Sequence, residues 1–364
     1  MATALQHVAW EPCLLEPRHD RALEGYARRK LGMPHPSVRY YVEVPWAARA
    51  LVDLHPEHGL LVRLDLKLAD LIQLVVSQEN SCRYCYAAVR ALLRIQGMTE
   101  ARIQRLEGDL TRAELTPRAA AAIAFARSLS RSGPTAVPGA RQALLGAGFD
   151  TDEMKEIAFV SAVMDFMNRL STIPAIPPRG LERMPDQLRV RLLRPWIARL
   201  LESNRIRGRA TPLERAPSYP YAGLVTAFTG SPIAPVLAKT LEEMWTSPAL
   251  PRRAKLLMFA VIARGLGCAL CVDEAARSLR EEGLTEHAFT SILTHLDAPE
   301  LDPVERLLVP FARETIWFEP APLQRRARGL RDRLSGPQFL EAVGVVSLAN
   351  GLCRMGAAVA DHPC

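Results

Sequence analysis

The sequence predicts an all-α protein made of two tandem helical bundles that are joined by a linker rich in proline and arginine. Three observations indicate this fold class: an internal repeat, apolar residues at helical spacing in both copies, and the lack of alternating strand patterns with hairpin turns. At 364 residues the chain is too long for one ordinary core and suits two domains.

The repeat appears when the chain is shifted by 186 residues, or by 185 after one deletion, and each copy then carries a C-x-x-C pair. The matching positions include Cys82 with Cys268, Cys85 with Cys271, Gly97 with Gly283, Phe125 with Phe311, Glu156 with Glu341 and Arg169 with Arg354. A series of matches held in register indicates a tandem duplication rather than chance similarity.

The repeat and its breaks predict four segments. Residues 1–60 form an N-terminal leader that packs on the first repeat, and residues 61–172 form that repeat. Residues 173–218 form the linker, because the prolines at its start remove backbone donors and disfavour helix. Residues 219–364 contain the second, more divergent repeat. We expect five or six helices in each domain.

Local signals mark several of these helices. Thr116-Pro117 and Asp302-Pro303 place a capping residue before a proline at the first helical position, and Glu305 completes a capping box with Asp302. The alanine-rich stretch 119–126 favours helix. Residues 188–204 have apolar side chains at i, i+4 spacing, which predicts an amphipathic helix within the linker.

The distribution of charge along the chain does not indicate a nucleic-acid partner. The net charge is +7 and the pI is about 9.2, but ten arginines concentrate between Arg179 and Arg215, and no zinc finger or RNP motif accompanies them. The N-terminus lacks a signal-peptide pattern, and the longest uninterrupted apolar run, 256–263, is too short to span a membrane. We therefore expect a cytoplasmic protein without a membrane partner.

The first C-x-x-C pair lies where an apolar helix ends and an alanine-rich helix begins. This places Cys82 at or just before a helix start and Cys85 one turn further on. Side chains at i and i+3 approach each other closely, and a helix N-terminus stabilises a thiolate. A reactive thiolate with a second thiol nearby is the minimum needed to reduce a peroxide through a sulfenic acid and a disulfide.

The run Ser-Gln-Glu-Asn-Ser-Cys-Arg-Tyr-Cys-Tyr-Ala-Ala at 77–88, in a helical repeat, resembles the alkylhydroperoxidase D/carboxymuconolactone decarboxylase family. The resemblance implies a homo-oligomer that acts as a thiol peroxidase or disulfide reductase, with Cys85 as the peroxidatic thiol and Cys82 as the resolving thiol. The implied partners are a hydroperoxide substrate and a thiol reductant. No metal or organic cofactor is implied.

The chain departs from the family pattern at the proton relay. Val89 stands where the family has a histidine, and Asp70 stands where it usually has a glutamate. Proton transfer would then fall to Asp70, Glu79, Tyr86 or water, and such help is typically worth about 10²–10⁴-fold in rate. A leader histidine, His55 or His58, could also reach this site, although the histidines otherwise read as surface or cap residues.

Other functions remain open. Cys268 and Cys271 form either a partly degenerate redox site or a structural copy, because their polar lead-in and the relay positions are lost. A zinc site from both Cys pairs is disfavoured by their distance along the chain, and haem attachment lacks the required histidine. The main alternative is a non-catalytic helical scaffold, and a third is carbon–carbon chemistry of the decarboxylase branch. Cys13, Cys353 and Cys364 are lone, with Cys353 expected in the core and Cys364 exposed.

Overall fold

The computed structural model describes residue 5 and residues 7–108, 114–131, 136–178, 180–213 and 218–359. The α-helices of these residues are α1 (Arg21–Leu31), α2 (Pro45–Asp53), α3 (Leu66–Glu79), α4 (Arg83–Ile95), α5 (Glu100–Gly108), α6 (Pro117–Arg131), α7 (Val137–Gly146), α8 (Thr151–Thr172), α9 (Leu188–Ser203), α10 (Ala222–Thr226), α11 (Ile233–Thr246), α12 (Arg252–Gly265), α13 (Ala269–Glu281), α14 (Glu286–His295), α15 (Glu305–Glu314), α16 (Pro320–Arg331) and α17 (Gly336–Val359). In the described part of the chain, 3₁₀ helices cover Pro36–Tyr40 and Leu181–Asp186. Within the described residues no strand forms, so the predicted all-α class is confirmed.

Side-chain caps explain where several helices begin. The Thr116 hydroxyl accepts a hydrogen bond from Ala119 N at 3.2 Å, and α6 starts at Pro117, as the sequence predicts. Asp302 accepts from Glu305 N at 2.8 Å, while the Glu305 carboxylate accepts from Asp302 N at 3.0 Å. This is the predicted capping box, in which two donors at the helix start are satisfied reciprocally.

The two halves meet along α8 and α17, which form the most extensive helix–helix contact among the described elements. From α8, the buried Arg169 donates to the carbonyl oxygens of Thr315 and Ile316 in the second half. From α17, the buried Arg354 donates to the carbonyl oxygen of Ser130 in the first half. Matching arginines therefore reach across the contact in both directions.

The order of helices around the two Cys pairs is the same: α3 leads into α4, and α12 leads into α13. This agrees with a duplication, which itself remains an interpretation of the sequence. The described part of residues 61–172 holds the six α-helices α3–α8, within the predicted range. The described part of 219–364 holds eight, α10–α17, which is more than the five or six predicted.

The leader packs on both halves rather than on the first alone. Trp46 on α2 donates its indole N–H to the Glu341 carboxylate of α17 at 2.9 Å. Further upstream, Glu11 N donates to Gln324 Oε1 at 2.8 Å, and the Glu11 carboxylate pairs with Arg325. The leader thus helps to hold the two halves together.

The linker contains α9, as predicted, but this helix buries none of its side chains fully. Its apolar stripe, formed by Leu188, Leu192, Leu193, Trp196 and Leu200, is exposed. An amphipathic pattern in a sequence shows that a face is apolar, but it does not say what covers that face.

After α9 the linker docks on the loop that joins α2 to α3. Ile206 N donates to Glu57 O at 2.9 Å, Gly59 N donates to Ile206 O at 2.8 Å, and Gly208 N donates to Leu61 O at 2.8 Å. A Cβ at Gly208 would lie 2.8 Å from Gly59 O, so this close backbone approach requires glycine. The linker is thereby fixed to the first half.

By length and apolarity alone, α17 could cross a membrane, with a mean hydropathy of 1.4 over its most apolar window. However, 94% of that window is buried inside the fold, against α8, α12 and other helices. Such burial is typical of the core helix of a folded domain.

Candidate functional site

The turn between α3 and α4 places the first Cys pair. Ser81 adopts a left-handed conformation with φ of 50°, and Cys82 N donates to Ser77 O at 2.9 Å, which reverses the chain. The Asn80 amide fixes this turn by donating to Ser130 Oγ at 2.8 Å and to Asp165 Oδ1 at 2.9 Å. The polar lead-in seen in the sequence therefore anchors the turn to α6 and α8.

Cys82 is the N-cap residue of α4, where the sequence predicted it. Its sulfur accepts a hydrogen bond from Cys85 N at 3.3 Å, and Cys85 Sγ lies 3.7 Å from Ser171 Oγ at the end of α8. Cys82 is 0% exposed and Cys85 is 7% exposed, so only Cys85 reaches the surface.

The surroundings favour ionisation of Cys82 before Cys85. Burial raises the pKa of Cys82, but the thiol and the N–H of Cys85 and the nearby Thr172 hydroxyl together outweigh it, so the pKa falls below its ordinary value. The hydrogen bond to Cys82, followed by burial, raises the pKa of Cys85 well above its ordinary value. Of the two thiols, the one at the helix N-terminus is therefore the easier to ionise.

Ser171 and Thr172, which the sequence interpretation missed, complete this environment. The Thr172 hydroxyl is buried and has no hydrogen-bond partner within normal distance among the described residues, so it is available to a Cys82 thiolate. Both residues lie at the C-terminus of α8, far from the Cys pair in sequence. No local signal could have indicated them.

The leader covers the same end of α4. The ring of Trp10 lies 5.7 Å from the Arg83 guanidinium carbon. Leu14 N donates to Pro174 O at 2.8 Å, just beyond Thr172. Residues of the leader therefore lie beside the N-terminus of α4 and the end of α8, where the first Cys pair is found.

The other predicted site residues lie in separate contacts. The Asp70 carboxylate is fully buried and pairs with Arg205 of the linker at 2.8 Å. Glu79 forms an ion pair with Arg127 at 3.0 Å. The Tyr86 hydroxyl accepts from Arg90 at 3.0 Å. The structure thus brings Cys82 and Cys85 together. The contacts just described for Asp70, Glu79 and Tyr86 do not involve a thiol.

Asp70 belongs to a cluster built around the loop after α2. Burial and the neighbouring Glu57 raise the pKa of Asp70 to about 7, against the lowering effect of Arg205. In the same cluster His55 Nδ1 lies 2.6 Å from Glu57 Oε2. Burial is the main cause that lowers the pKa of His58 to about 4 and that of His35 to about 3.

Reading the histidines as surface or cap residues is therefore wrong for His55 and His58, which lie half-buried in this cluster. His35 does precede a 3₁₀ helix as its cap residue, although it too is half-buried. The sequence also suggested that His55 or His58 could act as the proton relay of the first Cys pair. In the structure these histidines lie near Glu57, Asp70 and Arg205, and none of their described contacts is to a thiol.

The second Cys pair has the same local geometry but a different environment. Cys268 is the N-cap residue of α13, and its sulfur lies 2.7 Å from Cys271 Sγ. Cys353 of α17 lies beside Cys271 and is buried, as the sequence predicted for this residue. Gly356 also packs here, since a Cβ at that position would lie 3.2 Å from both sulfurs of the pair.

All three of these thiols are 0% exposed. The hydrogen bond with Cys271 lowers the pKa of Cys268, whereas hydrogen bonds with Cys268 and Cys353 raise the pKa of Cys271 well above its ordinary value. The order of ionisation matches the first pair, but solvent has no access to either sulfur. The predicted exposure of Cys364 concerns a residue outside the described part of the chain.

Comparison with known proteins adds one finding to this geometry. No curated protein and no solved structure matches the chain. Residues 47–128, from α2 into α6 and including Cys82 and Cys85, match the model of the carboxymuconolactone decarboxylase family.

Proposed function

We propose that the protein is a thiol-dependent oxidoreductase that reduces hydroperoxides through a dithiol–disulfide cycle at Cys82 and Cys85. One observation carries the proposal: a thiol with a lowered pKa caps a helix, and Cys85, one turn further on, is the only residue of the two C-x-x-C pairs with exposed surface. Thiolate character and access are the two requirements for a redox-active cysteine.

The division of charge and access suggests how the missing relay histidine is replaced. The pKa of Cys82 is lowered but this residue is sealed from solvent, whereas the pKa of Cys85 is raised and this residue keeps some exposed surface. In this proposal the reactive form therefore carries a Cys82 thiolate and a protonated Cys85. The Cys82 thiolate accepts a hydrogen bond from the Cys85 thiol and can take its proton. In this proposal Cys82 serves first as the base and later as the resolving thiol.

The reaction then follows in balanced steps. After Cys82 takes the proton, the Cys85 thiolate attacks the terminal oxygen of the hydroperoxide, the O–O bond breaks, and the departing alkoxide receives that proton from Cys82 and leaves as an alcohol. Cys85 is now a sulfenic acid. The Cys82 thiolate attacks the sulfenic sulfur, and the S–S bond forms as hydroxide leaves and becomes water with a proton from solvent.

An external dithiol restores the pair by exchange, so two electrons pass from the donor to each hydroperoxide. The second pair is given a structural role in this proposal, because Cys268, Cys271 and Cys353 have no exposed surface. The proposal includes a cytoplasmic location, where thiols stay reduced, and assembly as a homo-oligomer.

The test is a hydroperoxide-consumption assay with a small dithiol as electron donor. We expect loss of nearly all turnover in Cys85→Ser and in Cys82→Ser, because one lacks the attacking sulfur and the other lacks the base and resolving thiol. The matched control is Cys268→Ser/Cys271→Ser, which alters the same motif in the second half and should retain turnover.

Equal rates in the wild type and both first-pair variants would contradict the proposal. That result would favour the second candidate, a non-catalytic helical scaffold. The observation in its favour is the burial of the first pair: Cys82 has no exposed surface and Cys85 very little.

A further inference from the structure

The loop between α2 and α3 carries a group of side chains that the proposed thiol chemistry does not use. His55, Glu57 and His58 each offer one nitrogen or oxygen atom, and these three atoms all lie within 4.8 Å of one another. Two imidazoles and one carboxylate form a donor set that suits divalent first-row transition metals.

We infer that His55, Glu57 and His58 form a binding site for a divalent transition-metal ion such as Zn²⁺. The ligands of a tetrahedral zinc ion, at about 2.0–2.2 Å from the metal, lie about 3.3 Å apart. Shifts on the order of 1 Å in side-chain position would therefore bring the three atoms into coordination distance.

Unpartnered nitrogens are the second, independent observation. His58 Nδ1 and His35 Nδ1 are both buried and have no hydrogen-bond partner among the described residues. The ring centroids of His55 and His58 lie 5.4 Å apart, and those of His35 and His55 lie 6.1 Å apart. A buried ring nitrogen without a partner is costly, and a metal ion or a water would satisfy it.

Surrounding groups hold the ligands in place. The backbone of Asn204 hydrogen-bonds to the His58 ring, and the Gln73 amide donates to the Glu57 carboxylate. The other nitrogen of a metal-binding imidazole usually makes such a bond, which orients the ring. The loop backbone is fixed as well, because Glu57 O and Gly59 N are both bonded to Ile206.

The local charge is compatible with a cation. The positive charge of Arg205 is paired with Asp70 at 2.8 Å, which leaves the Glu57 carboxylate to balance the metal. At present Glu57 is bonded to His55, so the metal would displace the proton that these two side chains share. His55 is a quarter exposed and provides a path for the ion.

A bound ion would hold His55, Glu57 and His58 of the loop after α2 together, and this loop pairs with the linker through Ile206. Its effect would be to fasten the linker to the first half. The site is separate from Cys82 and Cys85, and the inference does not depend on redox activity.

The test uses the full chain, freed of metal by dialysis against a chelator and titrated with Co²⁺ alone. We expect one equivalent of Co²⁺ to bind, to give visible d–d absorption, and to be displaced by Zn²⁺. Stoichiometric binding should be lost in His58→Ala and in the conservative His55→Asn. Gln73→Ala, which changes only the support of Glu57, should bind about 10–100-fold more weakly.

Two controls separate this site from others. His295→Ala, at an exposed histidine outside the cluster, should bind as the wild type does. A variant with Cys82, Cys85, Cys268 and Cys271 all replaced by serine should retain the d–d absorption. No stoichiometric binding by the wild type, or binding that disappears in the serine variant but persists in His58→Ala, would overturn the inference.

Discussion

Replacing Cys85 by alanine tests why Cys82 ionises easily. The substitution removes the thiol that donates to the Cys82 sulfur but keeps the N–H of residue 85, which lies 3.3 Å from that sulfur. A hydrogen bond to a charged group is worth about 1.5–3 kcal/mol. Since about 1.4 kcal/mol corresponds to a factor of ten, the ionisation constant of Cys82 should fall about 10–100-fold. Burial destabilises the Cys82 thiolate, and without the Cys85 thiol fewer hydrogen bonds offset this effect.

The assay is a pH titration of thiolate ultraviolet absorbance, carried out in a Cys268→Ser/Cys271→Ser background. In this background the first thiolate should appear as pH rises through the lowered pKa of Cys82, below the ordinary thiol range. Adding Cys85→Ala should move this first step to higher pH. Titrations that coincide, or a step that moves to lower pH, would refute the idea that the Cys85 thiol stabilises the Cys82 thiolate.

Three further substitutions address the fold and the assembly. Lys255→Met should reduce the free energy of unfolding by about 3–5 kcal/mol, because the buried Glu341 loses its ion pair with Lys255 at 2.7 Å. Urea unfolding measures this change, and the control Lys67→Met, at an exposed lysine, should have little effect. Arg205→Ala should release the linker from the first half, seen as faster proteolysis after α9, whereas unchanged cleavage would show that backbone pairing alone suffices. Trp196→Glu on the exposed face of α9 should lower the molar mass measured by light scattering if this face joins copies of the chain, and an unchanged mass would remove α9 from the interface.

The sequence predicted the local features of the fold well. The caps at Thr116 and Asp302, the helix at 188–204 and the position of Cys82 at a helix start all depend on contacts within about one helical turn. Such contacts are visible in a short window of sequence. The extra helices of the second half were missed, because short helices such as α10 lack a periodic pattern long enough to recognise.

The candidate site was predicted only in part. The spacing of Cys82 and Cys85 indicated the pair correctly, but Asp70 pairs with Arg205, a residue far along the chain in what was read as a linker. The Thr172 hydroxyl beside Cys82 likewise comes from another helix. Contacts between distant segments depend on how helices pack, and a single sequence does not specify that packing residue by residue.

By itself, the amino-acid sequence determined the helical class, the match between the two Cys pairs and the position of Cys82 at a helix N-terminus. Only the tertiary structure decided which of these cysteines keeps exposed surface: Cys82 is fully buried and Cys85 is 7% exposed, while Cys268 and Cys271 are fully buried beside α17. It also gathered His55, Glu57 and His58 beside the docked linker. The physical reason is that helix formation is governed by neighbours in sequence, whereas burial and charge at a site are set by neighbours in space.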